Sequence, residues 1–211
     1  MNKESFKIDL SQCKSSWDVK TKMRRAFWQF LVQPVYLLIP GRLSFLRVAI
    51  LRLMGAQIAP SCNIQSGVDI LIPWNLCLDT HSTIGRRSKI LNFAPVRIGA
   101  MTIISQDAHL CTGTHDYTHP HFELLYKPIT IEAEVWVASG AFIGPGVRLG
   151  RGCVIGANSV VTKEMPAWTV CAGNPCRPLK ERQIRSVGQK NSHEAGQSSS
   201  IGSKPSTDRI E

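Results

Sequence analysis

Branched aliphatic residues recur at every sixth position between residues 131 and 161. Six consecutive positions at this spacing are Ile131, Val137, Ile143, Leu149, Ile155 and Val161. The period matches neither the 3.6 residues of an α-helix nor the two residues of a simple β-strand. A six-residue period is typical of a short strand followed by a tight turn. Three of these strand-and-turn units form the three sides of one coil of about 18 residues. The pattern therefore predicts stacked coils whose aliphatic residues point inward.

The same period occurs upstream in three shifted frames. The first frame holds Ile58, Ile64 and Ile70, the second Leu78, Ile84 and Ile90, and the third Ile98, Ile104 and Leu110. Each frame is displaced by two residues from the one before it, and we interpret these shifts as bulges at corners of the coil. Residues 58–166 then predict an all-β solenoid, a parallel β-helix of roughly five to six coils.

The two ends of the chain lack this period. Residues 17–54 carry apolar residues at helical spacing with stops at Pro34 and Gly55, so we expect 1–54 to form a helical, basic cap. The solenoid domain is expected over 55–180. Residues 181–211 are polar with few apolar anchors and predict a disordered tail.

The net charge of +10 is carried by the ends of the chain. Residues 14–52 hold eight basic residues against Asp18, whereas residues 53–176 hold eight of each sign. A neutral middle argues against a nucleic-acid-binding protein. Arg42, Arg47 and Arg52 lie five residues apart, so we expect them to spread around the helix. One interpretation is a basic amphipathic element on a membrane surface, the other is a cap that covers the first coil, and the two are compatible.

The seven cysteines, an odd number without a CxxC pair, favour a reducing compartment over a disulfide framework. There is no uninterrupted apolar run of 18 residues and no secretory signal pattern. We therefore expect a cytoplasmic protein, with the cytoplasmic face of a membrane as a site of peripheral contact.

The six-residue period stops between Leu110 and Ile131, and this interruption holds the candidate chemistry. The segment 111–128 carries three of the six histidines, His115, His119 and His121. Long loops in regular folds are usually functional. Imidazole is the common side chain whose pKa lies near neutral pH, so a histidine in such a loop can accept a proton from a substrate. His119 and His121 are either solvated or line a pocket, and the role of Asp116 is open.

Four motifs carry a resemblance to a known family. They are Gly113-Thr-His-Asp-Tyr-Thr-His-Pro120, Val135-Trp-Val-Ala-Ser139, Ile155-Gly-Ala-Asn-Ser-Val-Val-Thr-Lys163 and Ala172-Gly-Asn-Pro-Cys-Arg-Pro178. Together they resemble the hexapeptide-repeat O-acetyltransferases, and over residues 40–180 the colanic-acid-biosynthesis (WcaF-like) members, which are related to maltose, galactoside and nodulation acetyltransferases. The resemblance implies a left-handed β-helix, acetyl-CoA as co-substrate and a homotrimer with sites between subunits.

The resemblance also implies roles for individual residues. His115 is the expected general base and Asn92 the expected acceptor-binding residue, although a corner Asn in a left-handed turn would also explain Asn92. The acetyl-CoA contacts are expected from Trp136, Ser139, Ala157, Thr162, Lys163, Arg177 and Lys180. Arg177 and Lys180 would supply charge to the phosphates, and the Ser139 N–H is the expected oxyanion donor.

The sequence thus predicts an acetyl-CoA-dependent O-acetyltransferase that acts on a sugar hydroxyl in exopolysaccharide or cell-surface polysaccharide assembly, without a covalent acyl-enzyme and without a metal. The acceptor is a sugar or a lipid-linked oligosaccharide. Carbonic anhydrases of the same fold bind zinc with three histidines. In this chain the candidate zinc ligands for that alternative are His81, His109 and His115. A second hypothesis is a non-catalytic, membrane-associated solenoid scaffold. A third is an enzyme of the same fold that transfers an acyl group to an amine or uses a longer acyl chain.

Overall fold

The computed structural model describes residues 8–12 and 17–185, and its main body is a parallel β-solenoid. Its first three coils contain β1 (Gln57–Ile58), β2 (Asn63–Ile64), β3 (Asp69–Ile70), β4 (Leu76–Leu78), β5 (Thr83–Ile84), β6 (Lys89–Leu91), β7 (Val96–Ile98), β8 (Ile103–Ile104) and β9 (His109–Cys111). A hairpin of β10 (Gly113–His115) and β11 (Leu124–Tyr126) follows. Two further coils contain β12 (Ile129–Ile131), β13 (Trp136–Val137), β14 (Phe142–Ile143), β15 (Arg148–Leu149), β16 (Val154–Ile155) and β17 (Val160–Val161).

The coils stack strand on strand into three faces. Face A contains β1, β4, β7, β12 and β15; face B contains β2, β5, β8, β13 and β16; face C contains β3, β6, β9, β14 and β17. The residues predicted to point inward form three continuous columns, for example Ile64, Ile84, Ile104, Val137 and Ile155 on face B. The side chains of these columns are buried. The predicted fold class of a parallel β-solenoid is confirmed.

The insertions in the six-residue period all fall at one corner, between face C of one coil and face A of the next. We call it the loop corner. It contains the two-residue shifts after β3 and β6 as well as the long interruption 111–128. A 3₁₀ turn at Pro73–Asn75 accommodates the first shift. The interpretation of the shifts as corner bulges is therefore correct, and the hairpin is the largest insertion at the same corner.

An antiparallel hairpin closes the C-terminal end of the solenoid. Strand β18 (Thr169–Gly173) continues face B beside β16, and β19 (Cys176–Glu181) folds back along it. Arg182 donates hydrogen bonds to the carbonyl oxygens of Glu134 (2.7 Å) and Gly152 (2.9 Å). The described chain therefore continues to residue 185, past the boundary expected at residue 180, and the rest of the tail predicted over 181–211 lies outside the described residues.

Helices cover the N-terminal end. They are α1 (Val19–Phe27), a π-helical turn (Trp28–Val32), α2 (Gln33–Leu38) and α3 (Ser44–Leu53), preceded by a 3₁₀ turn at Leu10–Gln12. Within the part of the chain that is described, none of them is long and apolar enough to cross a membrane. The helical prediction for 17–54 agrees with this arrangement.

Arg47 ties α3 to the first coil. Its side chain is fully buried, and its guanidinium donates to the carbonyl oxygens of Ile64, Ile39, Pro40 and Gly41 at 2.7–2.9 Å. Of the two interpretations left open for these arginines, Arg47 fits the cap on the first coil and not a cation on a membrane surface. Its charge satisfies backbone carbonyls inside the cap and is not available to an outside partner.

Candidate active site

The interruption 111–128 forms a projecting hairpin with a defined register. In β10 and β11, Gly113 pairs with Tyr126 and His115 with Leu124. The amide of Lys127 donates to the carbonyl oxygen of Thr112 (2.9 Å), which closes the base of the hairpin against the solenoid. His115 is the last paired residue of its strand, so it stands where the rigid ladder ends and the tip begins.

The His115 ring is oriented by a backbone contact within this hairpin. Its Nδ1 atom lies 2.7 Å from the carbonyl oxygen of Phe122, and the side chain is exposed. Since a carbonyl oxygen only accepts, the proton of the neutral ring resides on Nδ1 and the lone pair on Nε2. This tautomer is the one that a general base acting through Nε2 requires.

Asp116 closes the hairpin tip and does not contact His115. Its Oδ1 atom accepts from the amide (2.9 Å) and the hydroxyl (2.6 Å) of Thr118, and these hydrogen bonds hold the pKa of Asp116 below its ordinary value. The Asp116 amide donates to the carbonyl oxygen of Glu123. The hydrogen bonds of the Asp116 carboxylate with Thr118 are those of a side chain that stabilises the turn.

The other two loop histidines make contacts near the tip. His119 Nε2 lies 3.9 Å from a carboxylate oxygen of Glu123. His121 Nδ1 lies 2.9 Å from the carbonyl oxygen of Asp9, and the Asp9 amide donates to the carbonyl oxygen of Pro120 at 3.0 Å. The N-terminal segment therefore contacts the loop tip across more than a hundred residues of sequence. The six-residue period gives no signal for this contact.

Asn92 lies below the hairpin at the loop corner and is fully buried. Its Oδ1 accepts from the Ile72 amide (2.9 Å) and its Nδ2 donates to the Ile72 carbonyl oxygen (2.7 Å). Thr112 repeats this pattern one coil further, where its hydroxyl accepts from the Ala94 amide (3.0 Å). An acceptor contact through Asn92 would require that its amide leave Ile72, so the acceptor-binding role of Asn92 stays a prediction.

Aromatic side chains fill the base of the hairpin. The ring of Phe93 lies against Gly113, where a Cβ atom would come within 2.6 Å of the ring. The ring of Trp17 lies 5.7 Å from that of Phe93, and the guanidinium of Arg25 lies 3.6 Å from the Trp17 ring centroid. Sequence reasoning missed Trp17 and Asp9 because their partners are remote in the chain.

The residues predicted to contact the pantetheine arm lie along face B and at its edge with face C. Trp136 on β13 is 46% exposed and donates from Nε1 to the Ser105 hydroxyl (3.0 Å). The outward positions of this face place Ile103, Trp136, Val154 and Val170 in one column, with Lys180 of β19 beside Val170. Ser139 and Ala157 lie in neighbouring coils at the next corner, where the Asn158 amide donates to the Ser139 carbonyl oxygen (2.9 Å).

The remaining predicted residues divide between two places. Arg177 is exposed on β19 opposite Ala172, near the C-terminal end of face B. Thr162 and Lys163 are exposed after β17, at the loop corner. A single chain therefore brings together Trp136, Ser139, Ala157, Arg177 and Lys180, and places His115, Thr162 and Lys163 at a different corner.

Residues 128–163 match the family model described as bacterial transferase hexapeptide, six repeats. The Escherichia coli K12 protein WcaF, named for acetyl transfer in colanic acid biosynthesis, is 37% identical over 155 residues, which cover 74% of this chain and 85% of WcaF. The chain belongs to the hexapeptide-repeat acetyltransferases. The predictions of this family and of an acyltransferase are confirmed.

Other members of the hexapeptide-repeat acetyltransferases agree with this assignment. The galactoside O-acetyltransferase of Escherichia coli K12 is 40% identical over 89 residues, covering 41% of this chain and 44% of the relative. The structure of a galactoside acetyltransferase in complex with coenzyme A has a TM-score of 0.73 at 25% identity, covering 80% of this chain and 86% of that one. A maltose O-acetyltransferase of Clostridium difficile 630 has a TM-score of 0.71 at 25% identity, with 79% and 90% covered.

No group of three or more histidine, cysteine or acidic side chains that could hold a metal ion occurs within residues 8–12 and 17–185. His109 lies on β9, His115 on the projecting hairpin and His81 in a turn between β4 and β5. The three histidines weighed for zinc thus belong to three separate elements of the chain.

Proposed function

We propose that this protein transfers the acetyl group of acetyl-CoA to a sugar hydroxyl in the assembly of an exopolysaccharide or cell-surface polysaccharide. The observation that carries the proposal is the contact between His115 Nδ1 and the Phe122 carbonyl oxygen (2.7 Å). With Nδ1 donating to this carbonyl, Nε2 is the acceptor nitrogen of the ring, on an exposed hairpin residue. The name of the relative WcaF supports acetyl transfer in polysaccharide biosynthesis.

The reaction proceeds as direct transfer. Nε2 of His115 accepts the proton of the sugar hydroxyl while its oxygen attacks the thioester carbonyl carbon. The tetrahedral intermediate collapses by breaking the carbon–sulfur bond, and the CoA thiolate takes the proton back from Nε2. During these steps the Nδ1–H bond to the Phe122 carbonyl stabilises the imidazolium. The Ser139 N–H is the proposed donor to the oxyanion.

Acetyl-CoA is proposed to bind along face B. The column of Ile103, Trp136 and Val154 offers an apolar surface to the methylene groups of the pantetheine arm, with Ser139 and Ala157 beside it. The exposed cations of Arg177 and Lys180 lie toward the C-terminal end of this face and suit phosphate groups. Thr162 and Lys163 are proposed to contact the nucleotide. The galactoside acetyltransferase structure with coenzyme A supports CoA as the carrier.

The shape of the solenoid supports a homotrimer with shared sites. In a three-sided solenoid, the corner between faces C and A lies opposite face B. His115 and Lys163 project from that corner, whereas Trp136 lies on face B. The base and the acetyl group therefore meet only across an interface between chains. His115 of one subunit then acts on acetyl-CoA held by face B of the next, and Thr162 and Lys163 join the site from the same corner as His115.

We place the protein in the cytoplasm, with a sugar or a lipid-linked oligosaccharide as acceptor. The cysteines that the structure describes, residues 62, 77, 111, 153, 171 and 176, are free thiols, which supports a reducing compartment. Residue 13 lies outside the described residues. Asn92 remains the candidate for an acceptor contact at the base of the hairpin.

The test is transfer of labelled acetyl from acetyl-CoA to a panel of free and lipid-linked sugars, read by mass spectrometry. We expect O-acetylated product with the native protein and a loss of about a hundred- to ten-thousand-fold in kcat with His115→Ala. His81→Asn, an exposed histidine on another element, is the matched control and keeps full activity. Full activity of His115→Ala overturns the mechanism. Preferred acetylation of an amino sugar, or preferred use of a longer acyl-CoA, overturns the substrate assignment.

A further inference from the structure

The N-terminal helices bury one side and expose a second apolar side. Trp28 and Tyr36 are fully buried, and Trp28 Nε1 donates to the Ile70 carbonyl oxygen at 2.8 Å. The outer side of α1, the π-helical turn and α2 carries a run of apolar side chains that are 51–82% exposed. We call this run the apolar stripe, and it consists of Val19, Met23, Phe27, Phe30, Leu31, Val35 and Leu38.

The spacing of the stripe is that of one helix face. Val19, Met23 and Phe27 follow each other at four-residue steps, and Phe30, Leu31, Val35 and Leu38 continue at three- and four-residue steps. Single exposed apolar residues are common on protein surfaces, but a continuous exposed row marks an interaction surface. α3 adds Phe45 (65% exposed) and Leu53 (86% exposed) nearby in sequence.

The charged residues of the N-terminal helices indicate which kind of partner the stripe binds. Residues 17–54 contain seven basic residues and the single acidic residue Asp18. Arg47 is buried, and Arg24 and Arg25 are stacked on the rings of Trp74 and Trp17. The other four, Lys20, Lys22, Arg42 and Arg52, are exposed. A helix that combines an apolar face with flanking cations lies in the interface of an anionic membrane, where headgroups meet the cations and acyl chains receive the apolar side chains.

We propose that the apolar stripe docks this protein on the surface of a membrane that contains anionic lipid. A second copy of the chain is the competing occupant, but its residues 53–176 are electrically neutral and offer no excess of negative charge to these cations. Docking does not rest on the proposed acetyl transfer. α1 begins beside Trp17, which packs on Phe93 at the base of the catalytic hairpin, so docking holds the hairpin close to the lipid surface.

The test is flotation of the full chain with vesicles of phosphatidylcholine, with and without added phosphatidylglycerol. We expect binding to the anionic vesicles that weakens with salt, and a loss of about tenfold or more in the partition coefficient for the double variant Phe30→Asp/Leu38→Asp. Lys20→Gln/Lys22→Gln is expected to lower the partition coefficient about tenfold on anionic vesicles and little on neutral ones. Ile184→Asp, 65% exposed outside the helices, is the control that keeps binding.

Two results overturn the proposal. One is equal vesicle binding by the native protein and Phe30→Asp/Leu38→Asp. The other is a change of oligomeric state in that variant by light scattering, which would show that a second copy covers the stripe. If the double variant unfolds by circular dichroism, Met23→Lys tests the same stripe with a single, 70% exposed residue. Transfer to a soluble sugar is expected to be unchanged in these variants, so failure of docking and failure of the proposed function are distinguishable.

Discussion

The Nδ1 atom of His115 lies 2.7 Å from the carbonyl oxygen of Phe122, seven residues further along the same hairpin. Phe122 adopts a positive φ of 47°, which turns its carbonyl toward the histidine ring. The tautomer of His115 thus depends on a left-handed backbone conformation that most side chains disfavour. The proposed base is oriented by a main-chain carbonyl in the place where many enzymes use a carboxylate.

Two variants at Phe122 test this dependence, because both remove the phenyl ring and only one tolerates a positive φ. Phe122→Asn should keep the left-handed conformation, whereas Phe122→Val should disfavour it by about 1–2 kcal/mol. We expect kcat of the valine variant to be about tenfold below that of the asparagine variant, with a similar KM for acetyl-CoA. Steady-state kinetics measure this, and equal kcat values would show that the Phe122 carbonyl does not govern the base.

The contact of Asp9 with the loop tip predicts that the N-terminal segment orders the hairpin. Asp9→Pro removes the amide that donates to the Pro120 carbonyl oxygen at 3.0 Å, whereas Asp9→Ala keeps it. We expect faster hydrogen exchange of the amides in 111–128 for the proline variant only. Mass spectrometry of the exchanged peptides gives the answer. The same exchange rate in both variants would show that the hydrogen bond between Asp9 and Pro120 does not order the loop.

Asn92 offers a prediction that separates a structural role from acceptor binding. Asn92→Ala leaves the buried amide of Ile72 without its acceptor, while the Ile72 carbonyl oxygen keeps the amide of Asn75 (3.1 Å) as a donor. The lost hydrogen bonds should lower the free energy of unfolding by about 1–3 kcal/mol. Urea denaturation measures that loss. If Asn92 also binds the acceptor, KM for the acceptor rises in the folded variant while KM for acetyl-CoA stays unchanged. Unchanged KM values for both substrates would remove Asn92 from the acceptor site.

The solenoid could be predicted from the sequence because its inward columns repeat at a fixed step. Ile131, Val137 and Ile143 each occupy an equivalent place in a coil, so packing imposes the same side-chain class on each. The two-residue shifts were recognisable for the same reason. Contacts between the N-terminal segment and the solenoid, such as Asp9 with Pro120 and Trp17 with Phe93, each occur once. They therefore produce no periodic pattern in the sequence.

The candidate site also contains residues that the sequence pattern indicates and contacts that it does not. His115 could be selected as the proposed base from the sequence, because it lies in the segment that interrupts the six-residue period. Its partner Phe122 could not, because a carbonyl contact depends on backbone conformation and leaves no residue signature. Arg47 shows why the two interpretations of the basic segment could not be separated from the sequence, since this arginine is a buried donor to four carbonyls. Charge counted along a sequence does not reveal which cations remain at the surface.

His109 leads to a prediction about acid stability. Its ring meets Phe142 edge-on, with centroids 5.3 Å apart, and its buried Nε2 has no hydrogen-bond partner among the residues that the structure describes. Burial, with a smaller contribution from Lys89, lowers the pKa of His109 below its ordinary value of 6.5. At a pH between the two pKa values, His109 is therefore protonated in the unfolded chain and neutral in the folded chain.

The sign of this effect fixes the pH window. The stabilising contribution of neutral His109 is complete above about pH 6.5 and is lost as the pH falls through the lower folded value. The decline should be shallower than the ~1.4 kcal/mol per pH unit of a whole proton, because the ring is partly exposed. We expect His109→Leu to reduce this decline and His81→Gln to keep it, as measured by urea unfolding at pH values above and below 6.5. An identical pH dependence in His109→Leu and the native protein would assign the acid sensitivity to other groups.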